Sequence, residues 1–289
     1  MMRRLACFFW LVSWPLFASI LPYFPRVDQS FSFNRVHENA LAFAFNAYSL
    51  QPMTTSGMTL AHQNREWDYN WFILGGSIAS SIGQWGIGYS NYGASTLPVT
   101  SFDGVGYYIS GKGADTFETV SLVYRPDVSW VNIALYVMHK RRKLMDQSAH
   151  ATYIDVAVSS SHILNHQLGV KTNQWLGTDY KWSDGVATAL PRYIGVYYIQ
   201  PLSPFTAAAS YDACLNDSSL STVTSTLMFE LDTMIHLFFE YQFFEDNTAV
   251  SFGSEIQLSD MLELRYAHRN EHLNYRDQTH HSLGIGVEF

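Results

Sequence analysis

From Thr55 onward, apolar and polar residues alternate in short segments rather than recurring at helical spacing. In segment 261–269, Leu262, Leu264 and Tyr266 oppose Glu263, Arg265 and Ala267. In 248–258, Val250, Phe252, Ile256 and Leu258 oppose Ser251, Gly253, Glu255 and Gln257. Val131, Ile133, Leu135 and Val137 share one face of 130–143, as Val120, Leu122 and Tyr124 do in 115–125. The last residues set Leu283, Ile285, Val287 and Phe289 against Ser282, Gly284, Gly286 and Glu288. Successive side chains of a strand point to opposite faces, so a period of two predicts strands with one apolar and one polar face. The remaining segments are 55–62, 68–80, 84–93, 149–162, 165–174, 191–200, 203–212, 222–232, 234–244 and 280–289; of these, 68–80 and 191–200 are apolar on both faces. The terminal Phe289 suits a ring held at a membrane–water interface.

The connections sort by length. With the last strand ending in the periplasm, the outside connections are 63–67, 94–114, 144–148, 175–190, 213–221, 245–247 and 270–279. The inside ones are 81–83, 126–129, 163–164, 201–202, 233 and 259–260. Long connections fall outside and tight turns inside, the asymmetry of an outer-membrane barrel, and a soluble sandwich gives no reason for it. The expected fold is all-β: a transmembrane antiparallel β-barrel of about fourteen strands, within a range of roughly twelve to sixteen.

Composition narrows the class further. The chain is 47% hydrophobic and 15% charged, and beyond the N-terminus no apolar run approaches a membrane helix. A net charge of -8 argues against nucleic acid, whose phosphates need a basic surface. Residues 1–19 read as a signal peptide: Arg3 and Arg4 precede an apolar run broken by Pro15, and Ala18 and Ser19 offer a cleavage site. Residues 20–54 then form a short periplasmic or plug segment, and 55–289 the barrel. Cleavage removes Cys7 and leaves Cys214, so no internal disulfide is expected.

With these elements placed, the chain resembles the PorV/PorQ type of outer-membrane protein, distant relatives of the FadL-like barrels. Asn46-Ala47-Tyr48-Ser49-Leu50 stands where that family carries an Asn-Pro-Ala-Gly-Leu element. A Ser-Gly-Met-Thr-Leu-Ala-His strand and Trp67-Asp68-Tyr69-Asn70-Trp71 follow. Later come Leu190-Pro191-Arg192-Tyr193 and the terminal Ser-Leu-Gly-Ile-Gly-Val-Glu-Phe. Tyr48 replaces the Pro-Ala portion, and a Gly-rich N-terminal segment is missing. The resemblance implies residence in the outer membrane of a diderm bacterium, and either uptake of hydrophobic compounds or service to a secretion system. The expected function is transport of a small or hydrophobic molecule; the alternative is a non-channel barrel acting as a docking or secretion accessory. Expected partners are outer-membrane lipid and lipopolysaccharide, the barrel-assembly machinery through the strand ending in Phe289, and a possible secretion partner.

Candidate chemistry lies on the polar parity. Arg125, Asp155, Lys171, Glu230, Asp232, His236, Glu240, Glu255, Glu263 and Arg265, with Glu288, are expected to line the lumen. They form either a structural network of ion pairs or a polar substrate pathway. Lys140, Arg141, Arg142 and Lys143 form the densest charge run; they are a solvated rim or contact lipopolysaccharide phosphates. Trp130, Trp175, Tyr180, Trp182, Tyr197, Tyr241, Tyr266 and Phe289 fall near strand ends or in loops and suggest an interfacial belt; among them Trp175, Tyr180 and Trp182 are also candidates for a ligand-binding lid. The eleven His show no HExxH spacing, and Ser282 points away from its neighbour His281. No metal, cofactor or enzymatic activity is expected.

Overall fold

The computed structural model describes residues 57–64, 70–102, 107–128, 131–160, 166–244, 247–273 and 276–288. The expected signal peptide 1–19, the segment 20–54, Trp130 and Phe289 lie outside the described residues, as does the side chain of Glu288.

Strands form where the alternation is sustained. They are β1 (Gly57–Asn64), β2 (Asn70–Ser80), β3 (Gly83–Phe102), β4 (Tyr107–Pro126), β5 (Val131–Leu144), β6 (Gln147–Ser160) and β7 (Gln167–Asn173). Three short strands follow: β8 (Leu176–Gly177), β9 (Tyr180–Trp182) and β10 (Ala187–Thr188). The chain continues with β11 (Tyr193–Pro201), β12 (Phe205–Cys214), β13 (Thr222–Asp232), β14 (Ile235–Phe244), β15 (Asn247–Ser259), β16 (Leu262–Leu273) and β17 (Arg276–Glu288). All belong to one antiparallel sheet. β1 pairs with β2 on one side and β17 on the other, so Leu60 lies opposite both Leu74 and Ile285. β7 joins β6 to β11.

Two expected loops are strand instead. Within 94–114, β3 and β4 stay paired as far as Phe102 opposite Tyr107. Val99, Thr100, Tyr107 and Ile109 are strand formers, and a hairpin already in register extends for as long as its residues tolerate pairing. Pro98, which has no N–H to give, sits between two register slips, at Ala94/Leu97 and Val99/Thr100. Similarly, β16 and β17 run on through most of 270–279. The 175–190 connection is folded as well. Gln174 adopts φ 59°, which turns the chain out of the line of β7. Leu176 and Gly177 then pair with Ile154 and Tyr153 of β6, and Lys181 and Trp182 with His150 and Ala149.

Burial along the strands is inverted relative to a soluble sheet. In β6, Ala149, Tyr153, Asp155, Ala157 and Ser159 are buried, while Ile154 and Val158 are exposed. Buried groups include Glu271 at 0%, Glu240 at 1% and Asp155 and Lys171 at 3% exposure, whereas Ile78 is 63%, Leu168 61% and Leu283 61% exposed. Exposed apolar side chains recur on almost every long strand, far beyond the isolated patches of a soluble monomer. Such a face is stable only against lipid. No helix among the described residues is long and apolar enough to cross a membrane, so crossing falls to the strands.

Aromatic pairs on the outer face collect near the two ends of the strands. Toward the tight turns stand Trp85–Tyr124, with centroids 4.4 Å apart, Phe205–Phe229 at 4.7 Å and His166–Tyr198 at 5.5 Å. Toward the long hairpins stand Phe72–Tyr89 and Phe252–His268, while Tyr266–His281 lies nearer mid-height. Amphipathic rings at both interfaces are the girdles of a membrane-spanning barrel. Tyr241 and Tyr266 face outward here; Tyr197 and Tyr180 are buried on the inner face and are not part of a belt.

Candidate functional site

The inner face carries nearly all the charge that the alternation buries. On β14, β15 and β16 the inward positions bring opposite charges side by side. Arg265 lies across from Glu255 in register, with Nε 3.1 Å from its Oε2, and also contacts Glu263. His236 Nδ1 stands 3.5 Å from the other oxygen of Glu255. Two inward positions along, past Ala267, Arg269 Nε donates to Glu271 Oε1 at 2.7 Å, and its Nη2 donates to Gln242 Oε1 at 2.7 Å. Glu240 lies 4.0 Å from Arg269 and accepts from Thr226 Oγ1 at 3.2 Å. The result is a ladder of carboxylates bridged by two guanidinium groups, whose forked donors suit several oxygens at once.

A second polar group spans β4 to β7. Arg125 Nη2 donates to Asn132 Oδ1 at 2.6 Å, Asn132 Nδ2 lies 3.5 Å from Ser159 Oγ, and Gln167 Nε2 donates to the same hydroxyl at 3.0 Å. Asp155 accepts from the backbone N–H of Trp175 at 3.0 Å, tying the folded 175–190 connection to the wall. Lys171 on β7 reaches Asp212 on β12 at 3.3 Å, although β11 lies between them. The intervening residue is Gly195, and a Cβ there would stand 2.2 Å from Asp212 Oδ1 and 2.9 Å from Lys171 Cε. The ion pair therefore needs glycine at 195. In the same way the Tyr197 ring lies over Gly169, where a Cβ would meet it at 2.2 Å.

Apolar side chains lie among the second group on the same strands. Val123, Ala134, Tyr136, Ala157, Tyr197 and Ile199 pack together, with Met138 and Ala208 against them. A small recess opens beside Tyr197 and Ile199, over Ala208, Ser210, Thr224 and Thr226.

Of the ten lumen candidates, Arg125, Asp155, Lys171, Glu240, Glu255, Glu263 and Arg265 are buried on the inner face and His236 is half-buried there. Glu230 and Asp232 are exposed instead. They have reached the turn end of β13, where a register slip between them breaks the alternation and Asp232 accepts from its neighbour Thr233. Inner-face partners missed from the sequence include Asp212 and Arg269, which share the parity of their strands, and Glu271, because the alternating segment 261–269 stops four residues short of the end of β16.

The basic run also divides. β5 continues to Leu144, so alternation sends Lys140 and Arg142 inward and Arg141 and Lys143 outward. Lys140 Nζ lies 5.1 Å from the Tyr153 ring centroid. Arg142 pairs with Asp115 at 3.4 Å and covers Phe117 at 4.5 Å. Neither reaches the lipid side. Of the loop aromatics, Tyr180 packs with Ala149, Ala151 and Leu190, and Trp182 lies against that cluster with its Nε1 donating to Thr188 Oγ1 at 2.9 Å. Trp175 meets the wall through its backbone.

Among the described residues no group of three His, Cys, Asp or Glu is placed to hold a metal ion; His268 and His281 approach to 3.4 Å on the outer face.

An inverted wall with aromatic girdles and an ion-paired inner face defines an outer-membrane β-barrel. No protein-family model and no curated protein matches the chain. Among solved structures it is similar to the CymD monoaromatic hydrocarbon channel, with a TM-score of 0.62 at 8% identity, covering 87% of this chain and 93% of that one. It is also similar to the Pseudomonas putida toluene transporter TodX, with a TM-score of 0.61 at 8% identity over 87% of this chain and 98% of that one. At such identities the likeness is one of fold.

Proposed function

We propose that the protein is a channel that carries a small or hydrophobic solute across the outer membrane, through a closed barrel of about fourteen wall strands sealed between β1 and β17. The pairing of β1 with both β2 and β17 supports closure. One observation carries the transport reading: the inner face is divided into sectors. In strand order the carboxylate–guanidinium ladder of β14–β16 stands about half-way round from the mixed wall of β4–β6, where an apolar cluster that β11 extends lies among Arg125, Asn132, Asp155 and Ser159. The small recess beside Tyr197 and Ile199 gives a solute with an apolar or aromatic body a place against that wall, while the ladder keeps the opposite wall polar. The likeness in fold to a monoaromatic hydrocarbon channel and a toluene transporter points to the same class of cargo. PorV/PorQ-type, FadL-like membership belongs to this proposal too and rests on the motifs at 46–50, 190–193 and the terminal strand. So does recognition of that strand, through Phe289, by the barrel-assembly machinery. The role is non-enzymatic: the inner-face groups hold one another in ion pairs.

A second reading has its own support. Glu240 and Glu271 are almost wholly buried, as an occluded barrel serving as a docking or secretion accessory requires. Proteoliposomes separate the two. Uptake of labelled toluene above the rate of protein-free vesicles, with single-channel conductance in planar bilayers, is the result expected of a channel. Neither uptake nor conductance would leave the accessory role.

A further inference from the structure

On the outer surface of the wall, one transverse row of residues is built by four strands. Glu118 of β4 is opposite Arg141 of β5, Arg141 is opposite His150 of β6, and His150 is opposite Lys181 of β9. All four belong to the outward parity. Lys143 stands two residues above Arg141, and His139 two below, its ring stacked on that of His150 at 5.7 Å. Beneath the row the same strands present Val120, Leu122, Leu135, Val137, Ile154 and Val158, all exposed.

The height of the row follows from strand geometry. Arg141 is ten residues from the start of β5 at Val131. At about 3.4 Å per residue, and a tilt of about 40°, this raises it roughly 26 Å, the top of an apolar band about 25 Å tall. Cations at that level meet headgroups of the outer leaflet rather than acyl chains. Nearby acidic groups do not cancel them. Glu118 offers Arg141 an exposed contact at 3.6 Å, weak in that setting. Asp184 accepts from Val186 within its own turn, and Asp146 stands in the β5–β6 turn. The short strand β9 is what completes the row: it brings Lys181 against β6, more than thirty residues along the chain from the basic run.

We propose that Arg141, Lys143 and Lys181, flanked by His139 and His150, form a binding site for a phosphate of the outer-leaflet glycolipid, with the acyl chains lying on the apolar strands below. Arg141 supplies a forked donor, and the two lysines supply point charges on either side. Lys140 and Arg142, adjacent in sequence, take no part because they point inward. The site rests on the reading of the chain as an outer-membrane barrel.

The test uses purified full-length protein in detergent and native mass spectrometry against bisphosphorylated lipid A, dephosphorylated lipid A and phosphatidylglycerol. Each variant is first checked for the mobility shift on heating that a folded barrel shows, so loss of the barrel itself is seen separately from loss of lipid. Wild type is expected to retain bisphosphorylated lipid A at least tenfold more than either other lipid. The triple variant R141Q/K143Q/K181Q is expected to lose that preference while K140Q/R142Q keeps it. Equal retention of the three lipids by wild type would overturn the site, as would a folded triple variant that binds like wild type, or loss confined to K140Q/R142Q.

Discussion

Lys171 and Asp212 are 3% and 2% exposed and form an ion pair across the bare backbone of Gly195. Replacing Lys171 by Met keeps most of the side-chain volume and leaves the Asp212 carboxylate without its cation. Breaking a buried pair by removing one partner costs about 3–5 kcal/mol, because the remaining charge has lost its compensation. Neutralising both partners removes that charge, so K171M/D212N is expected to lie within about 1.5 kcal/mol of wild type. The assay is urea unfolding of the protein refolded into lipid vesicles, followed by tryptophan fluorescence. A single variant K171M within about 1 kcal/mol of wild type would refute the reasoning. It would mean that water reaches Asp212 and that this part of the inner face is wet rather than packed.

Other positions give independent tests. Gly195→Ala places a methyl group where the Asp212 carboxylate stands, and is expected to destabilise by about 1–3 kcal/mol in the same unfolding assay; Gly185→Ala has open space around it, and any cost there comes from the φ of 88° alone. Leu135→Arg, in the middle of the outer band, is expected to cost about 2–4 kcal/mol, whereas His139→Arg at its upper edge costs about 0–1 kcal/mol. Equal costs would displace the membrane from the wall. In proteoliposomes, Ile199→Glu introduces a charge into the apolar cluster and is expected to lower toluene uptake severalfold in protein shown to be folded by its mobility shift on heating. Unchanged uptake would remove that cluster from the pathway.

Much of the wall was legible because lipid on one side and packed polar groups on the other force a strict period of two. Each of the segments read from 55–62 to 280–289 became a strand, including 191–200, whose double apolar character suits β11: Ile199 and Tyr197 pack inside while Val196 and Tyr198 face out. Parity also assigned Glu255, Glu263 and Arg265 to one face. Alternation fails as a guide where strands end. Glu230 keeps the inward parity yet is exposed, because β13 is already entering its turn. Lys140 and Arg142 look like neighbours of Arg141 and Lys143 in sequence, but a strand running to Leu144 separates them by the thickness of the wall. Partnerships across a third strand were not legible at all. Lys171 and Asp212 meet only because Gly195 leaves room, and Lys181 joins Arg141 only because the 175–190 connection folds back on β6. Such contacts depend on which strands become neighbours, and the pattern along a single strand carries no record of that.

Closure of the wall between its first and last strands is the most direct test of the channel, since an open sheet edge cannot persist in lipid. Leu60 and Ile285 lie opposite each other across that seam and both face outward. The double variant L60C/I285C, oxidised in isolated outer membranes, is to be compared with L264C/I285C, which bridges the adjacent β16–β17 pair. Both are expected to form an intramolecular disulfide, seen as a shift in electrophoretic mobility that reductant reverses. A disulfide at 264/285 with none at 60/285 would show an open sheet and contradict the barrel.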